Sequence, residues 1–312
     1  MATASPLAQI LRRLGVAPRR IRRISARSNI HWAVLGEDGR RLVLRRFGAG
    51  PDSLADIDWE ADLLRRLAAT GLPVAAPLAG PEVIDGAVWA LFPRLPGRPL
   101  AASNTDDEGY RRLGRTLAVY HDRVEAFPRP AQRSGWRPLA AQAAPPAGGR
   151  SRKDLLDRLL PEHRAMAEAF AAAAETLEAR RLPERLAGLP QMAVHGDFSP
   201  WNLLFRGGAL SGILDFELAH LDVAAADVAF ARRGSHDAVV EGYLERRALG
   251  EAELAALDGL WTGAVLQGVW QVLASDRPDP ALLEWNLQQL GKTRPWRPAP
   301  ARARVGAGKE RS

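Results

Sequence analysis

Residues 193–216 read AVHGDFSPWNLLFRGGALSGILDF, and the order of polar groups in this stretch decides how the rest of the chain is read. Asp197 is followed five residues later by Asn202 and, across a strand–turn–strand pattern, by Asp215. Residues 203–205 are a short apolar run, Arg206-Gly207-Gly208 supplies a turn where glycine tolerates positive φ, and residues 210–214 read as the return strand. A hairpin carries the chain back on itself. Asp215 is therefore expected beside Asn202, with Asp197 on the preceding loop pointing into the same space.

Two carboxylates and an amide oxygen that converge are hard oxygen ligands, of the kind Mg²⁺ takes together with substrate phosphates. Phosphoryl transfer uses such a set: one carboxylate orients or accepts the proton of an attacking hydroxyl, while an Asn and a second Asp hold the metal. The order H-x-D-x-x-x-x-N followed by D-F resembles the catalytic loop and metal-binding segment of the kinase-like superfamily. The wording HGDFSPWNLLF…GILDFE is similar to the aminoglycoside phosphotransferase and small-molecule kinase family.

That resemblance runs from about residue 21 to residue 289, with its specificity in the central segment. It implies an α+β, bilobal protein-kinase-like fold. Residues 1–92 would be a nucleotide-binding lobe with a five-stranded antiparallel sheet plus one helix. Residues 93–97 would be the hinge and residues 98–292 a larger, mainly helical catalytic and acceptor-binding lobe. It further implies ATP or GTP and Mg²⁺ as cofactors and a small-molecule hydroxyl as acceptor. Asp197 would be the base, Asn202 and Asp215 the metal ligands. His195 stands at the start of the H-x-D motif as a supporting residue. Asp227 resembles the family's structural Asp that anchors the loop. Asp222 and Glu217 are candidates to line the acceptor site, with loop anchoring the other reading of Asp222.

Composition bounds the rest. The chain has 312 residues, 46% hydrophobic and 25% charged, which is ordinary for a globular protein. Without cysteine, disulfides and thiolate metal sites are excluded. The first apolar run is broken by Arg12 and Arg13, and no apolar stretch approaches the length of a membrane span, so the cytoplasm is the expected location. A net charge of +7 invites a nucleic-acid reading, but the arginines crowd the first fifty positions and the C-terminal tail. Residues 191–290 are acid-rich, which suits a polyanionic nucleotide on one side and a cationic acceptor on the other. Nucleic acid is not expected as a partner.

Along the chain, Ser5-Pro6 opens a short amphipathic helix closed by Gly15. Residues 20–28, 30–35 and 41–47 read as strands, the last two joined by a tight Asp38-Gly39 turn. The loop between the first two takes the place of the family's phosphate-covering loop but lacks its glycines, leaving Ser28, Asn29 and backbone N–H groups to meet phosphates, with turn formation the other reading of Asn29. Alternation places Arg45 opposite Leu44, and Arg45 stands where protein kinases carry a phosphate-binding Lys. Residues 53–69 form a helix whose Glu60 lies beside the apolar stripe; the resemblance pairs it with Arg45. Residues 82–84 and 87–92 flank an Asp85-Gly86 hairpin turn, and Phe92 and Arg94 stand at the hinge where adenine would sit.

Thr105-Asp106-Asp107-Glu108 reads as a capping box opening a helix to about residue 124, with His121 in its buried stripe. Residues 128–149, rich in Pro, Ala and Gly, read as a long loop and a mobile flap over the acceptor. Residues 154–186, 251–275 and 280–290 read as helices, and residues 293–312 as a disordered basic tail. Two other functional classes remain open at this level: a non-catalytic nucleotide-binding module and a nucleic-acid-binding protein.

Overall fold

A computed structural model describes residues 5–26, 29–100, 105–126, 130–134, 136–146, 149–159 and 161–298. Helix α1 (Pro6–Arg13) is capped by Ser5, whose hydroxyl accepts the Ala8 N–H at 3.3 Å. Strands β1 (Pro18–Ala26), β2 (Ile30–Gly36) and β3 (Arg41–Arg46) follow, then helix α2 (Leu54–Ala69) and strands β4 (Ala79–Ile84) and β5 (Ala87–Pro93). They form one antiparallel sheet in the order β1-β2-β3-β5-β4.

Period-two alternation decides what each face of this sheet does. Leu42 and Leu44 of β3, with Trp89 and Leu91 of β5, pack outward with Ile10 and Leu11 of α1. Val88, Ala90 and Phe92 point inward and join the large core, which continues through α2 into the helices beyond. Arg45 shares that inward face and is 7% exposed, whereas Arg46 lies on the exposed side.

A two-residue strand, β6 (Arg98–Pro99), leads to helix α3 (Asp107–Glu125). The cap of α3 is Asp106, one residue later than the capping-box pattern suggests: its carboxylate accepts the Gly109 N–H at 2.8 Å. The segment read as a mobile flap is pinned where it is described. Arg133 donates to the carbonyls of Glu217 and Ala219, the Leu139 N–H donates to Asp222, and the Trp270 indole donates to the Gln142 carbonyl. A loop so rich in apolar Ala and Pro gains more by packing than by hydration.

Helices α4 (Arg152–Leu156), α5 (Arg164–Ala179) and α6 (Leu182–Arg185) follow; the break before α6 falls at Arg181, φ 50°, with Pro183 inside the short helix. Next come β7 (Gln191–Val194), β8 (Leu203–Arg206), β9 (Ala209–Ile213) and β10 (His220–Val223). β8 pairs with β9 and with β6, and β7 pairs with β10. The β7–β10 ribbon has no signature in the sequence pattern, because β10 is buried on both faces and shows no alternation. Helices α7 (Ala224–Arg232), α8 (Asp237–Leu244), α9 (Glu251–Ala274) and α10 (Pro280–Gly291) complete the fold. Trp261, Leu266 and Trp270 of α9 are core residues, each at most 2% exposed.

The disorder expected from residue 293 is not seen at residues 293–298. The Arg294 N–H donates to the Gly234 carbonyl at 3.1 Å, its guanidinium reaches Ser235 and Asp237, and Trp296 packs on the large core. Residues 299–312 lie outside the described residues. No helix among the described residues is long and apolar enough to cross a membrane.

Helices α3 and α8 meet backbone to backbone at Gly114 and Gly242. A β-carbon at Gly114 would enter the envelope of the Val239 carbonyl oxygen, and one at Gly242 that of the Arg111 carbonyl. Alanine at an exposed helix glycine should gain up to about 1 kcal/mol in propensity. Here overpacking against backbone should cost about 1–3 kcal/mol and win. Gly114→Ala and Gly242→Ala are both expected to lower the urea midpoint; an increase would show that the helices lie further apart.

Candidate active site

The loop after β7 is shaped by a carboxylate it does not contain. Asp227, on α7 and 0% exposed, accepts the His195 N–H at 2.7 Å and the Gly196 N–H at 2.8 Å. His121 completes its shell through Nε2 at 3.1 Å and contacts the Tyr243 hydroxyl through Nδ1 at 2.8 Å. Gly196 has φ 81°, and a β-carbon there would overlap the Leu218 carbonyl, so the residue between His195 and Asp197 must be glycine. His195 Nδ1 accepts the Asp197 N–H, which leaves Nε2–H to donate to the Leu214 carbonyl at 2.9 Å. This neutral tautomer ties the loop to the end of β9.

From this loop Asp197 projects beside Asn202, whose amide nitrogen donates to the Asp197 carbonyl at 3.0 Å and its carboxylate at 3.2 Å. A 3₁₀ turn over Pro200–Asn202 sets up that contact. The Leu214 N–H donates to the Asn202 carbonyl at 2.8 Å, so Asp215 leaves β9 next to Asn202. Asp215 has φ 65°, a left-handed conformation that is unfavourable for a residue bearing a β-carbon. The hairpin also reaches the segment after α2, where the Ile213 N–H donates to the Pro73 carbonyl.

On the sheet side, Arg45 donates to Glu60 at 2.7 Å, with both side chains under 10% exposed. Glu217 stands 3.6 Å from the same guanidinium, and the Phe47 ring lies 4.3 Å away. Glu217 also accepts the Asn29 amide at 2.6 Å, while Asn29 Oδ1 accepts the Gly48 N–H at 3.0 Å. Asn29 thus links two loops, and Glu217 sits with the Arg45 cluster. Ser28 lies outside the described residues. A cleft of about 470 Å³ opens between these groups, lined by His31, Arg45, Phe92, Arg94, Asn202 and Asp215 among others. A larger cavity of about 840 Å³, bordered by Trp136, Gln142 and Trp270, touches none of Asp197, Asn202 and Asp215.

Asp222 is 2% exposed and accepts the Leu139 and Val223 N–H groups. His220 lies 3.5 Å from it, stacked on Trp136.

A model described as "Phosphotransferase enzyme family" matches residues 20–260. The chain belongs to that family. It is accordingly an enzyme that transfers phosphate to an alcohol group of a small molecule. It is 31% identical over 233 residues to a homoserine kinase of Phenylobacterium zucineum, covering 68% of this chain and 67% of the relative. A homoserine kinase of Xanthobacter autotrophicus is 34% identical over 233 residues, at 68% and 67% coverage. Among solved structures, an amicoumacin kinase in complex with AMP-PNP and Ca²⁺ superposes with a TM-score of 0.65 at 14% identity, over 92% of this chain and 93% of that one. A microcompartment-associated aminopropanol kinase gives 0.60 at 18% identity, over 92% and 94%. These likenesses place the phosphotransferase in the kinase-like fold.

Sequence reasoning missed one residue at this phosphotransferase's centre. Arg233, at the end of α7, donates to Asp197 Oδ1 at 3.0 Å. No spacing rule links positions 36 apart, and the only signal was an Arg-Arg pair before Gly234. Burial pushes the Asp197 carboxyl above its ordinary range, and the Arg233 guanidinium opposes that shift.

Asp227 behaves in the opposite sense. Burial pushes it up, but the hydrogen bond to His121 and the backbone donor of His195 hold it below the ordinary carboxylate range. A depressed carboxylate stabilises the fold above its unfolded pKa and loses that contribution as pH falls through the folded value. Asp227→Asn should therefore cost about 1–3 kcal/mol at neutral pH. The gap to wild type in urea unfolding should narrow as pH drops below about 4; a gap independent of pH would refute the charged shell.

Proposed function

We propose that this phosphotransferase moves the γ-phosphate of ATP or GTP, with Mg²⁺, to the hydroxyl of a small metabolite alcohol, and that Asp197 takes the hydroxyl proton. The observation that carries this reading is a cleft lined by Arg45, Phe92, Asn202 and Asp215, with Asp197 hydrogen-bonded to that Asn202. In this reading residues 1–92 hold the nucleotide, 93–97 are the hinge and 98–292 carry the base and the acceptor.

The donor set suits the metal. Because the Asn202 amide nitrogen is engaged by Asp197, its Oδ1 is the atom left to face a cation, and the Asp215 carboxylate is the second hard oxygen donor. Asn202 and Asp215 would hold the ion, which when bound offsets the negative charge of the phosphates. Arg45, which donates to Glu60, would contact phosphate oxygens in the fork geometry of a guanidinium. The acceptor oxygen attacks the γ-phosphorus, the bond to the bridging oxygen breaks, and the nucleoside diphosphate leaves with that electron pair. The hydroxyl proton passes to the Asp197 carboxylate, whose basicity burial raises.

The homoserine kinases among the relatives favour a hydroxy amino acid as acceptor. The aminopropanol and amicoumacin kinases among the structural neighbours keep amino alcohols and antibiotics as alternatives.

Two measurements test the reading. Asp197→Ala should bind MgATP like wild type but lose about 10²–10⁴-fold in turnover; unchanged turnover would remove Asp197 from the mechanism. In thermal unfolding, MgATP or MgGTP at a hundred times its dissociation constant should add about 2.7 kcal/mol. That gain should require magnesium and vanish in Asp215→Ala. A nucleotide shift that survives without magnesium and in the variant would sink the metal assignment.

A further inference from the structure

The acid-rich character of residues 191–290 suggested a cationic acceptor, but the acids are spent elsewhere. Glu241 pairs with Arg111, Glu245 with Arg115, and Asp237 with Arg232 and Arg294. Asp222 and Asp227 are buried anchors, and Glu253 accepts the Gly250 N–H at the start of α9. What faces Asp197 is a cation. Arg233 has a side chain 12% exposed, and its guanidinium lies 4.3 Å from the Trp201 ring and 5.4 Å from that of Phe230. His236, stacked on Tyr110 nearby, is held towards its neutral form by burial and by Arg233 and Arg232.

Two features of Arg233 lack a structural explanation. It adopts φ 50°, the left-handed helix-ending conformation that glycine usually fills, although Gly234 stands next to it. And its Nε is buried without a hydrogen-bond partner among the described residues. A buried guanidinium that uses so few of its five donors is costly unless a ligand completes its shell.

We propose that Arg233 selects the acceptor, and that the alcohol it selects carries a carboxylate. The inference rests on Asp197 being the base. A carboxylate matches the fork of a guanidinium and would share Arg233 with Asp197, taking the donor that Asp197 leaves unused. A polycationic acceptor would instead meet Arg233 directly beside the base. Trp201, 43% exposed over the guanidinium, is the covering group with least to lose by moving aside.

The test measures binding and transfer separately, on the full chain with MgAMP-PNP for the first and MgATP for the second. Hydroxy acids of three to six carbons, homoserine among them, are compared by calorimetry with their amides and decarboxylated analogues. Wild type should bind at least one acid about thirtyfold or more tightly than its amide, the loss expected when one partner of a buried charge pair is removed. Arg233→Met should collapse that ratio towards one, and Arg233→Lys should restore part of it. If no acid is preferred over its amide, or the preference survives in Arg233→Met, the proposal is overturned. The wild-type ratio stands as a test even if the variants fold poorly. A carboxylate preference in binding without phosphate transfer would support the anion site and count against the kinase reading instead.

Discussion

The site depends on one buried carboxylate. Asp227 accepts two consecutive backbone N–H groups of the loop that ends in Asp197 and is itself held by His121. Hydrogen bonds to a charged group contribute about 1.5–3 kcal/mol each, and leaving their donors unmatched in the interior is expensive. Through His121 and Tyr243 the same carboxylate joins α3, α7 and α8. The helices therefore set the path of the loop, and the path of the loop sets Asp197.

A second constraint is the close approach of backbone to backbone. Gly196 lets the loop pass over the Leu218 carbonyl, and Gly114 with Gly242 lets α3 lie directly on α8. Both are places where a single methyl group would force a shift of main chain. They bring His121 of α3 and Tyr243 of α8 into hydrogen-bonding contact, so the packing and the polar network support one another.

Charge is distributed differently from what composition suggests. Of the arginines crowding the first fifty positions, Arg12, Arg13, Arg20, Arg22, Arg23, Arg41 and Arg46 are exposed, and among the described residues Arg45 is the one buried against the cleft. The overall basic balance is thus mostly a property of solvated surface, where ion pairs and single charges contribute little. Around Asp197 and the cleft, Arg45 and Arg233 do different jobs. Arg45 is oriented by Glu60 with Glu217 close by, and Arg233 has Asp197.

The sequence by itself determined the features that rest on local spacing. Period-two alternation turned Arg45 towards the cleft, the hairpin between Asn202 and Asp215 was readable from its Gly207-Gly208 turn, and the ordered polar set named the family. What depended on partners distant in the chain was decided by tertiary structure alone. Asn29 could face phosphate or form a turn, and packing alone showed its hydrogen bond to Glu217, 188 residues away. Asp222 could line a pocket or anchor a loop, and its contact with the Leu139 N–H, 83 residues away, is likewise visible only in the fold. The Pro- and Ala-rich stretch after α3 looked mobile because its hydrogen-bond partners lie on β10 and α9. Arg233 was invisible for the same reason: a helix end carries no periodic signal, and its contact with Asp197 exists only once α7 has docked against the loop.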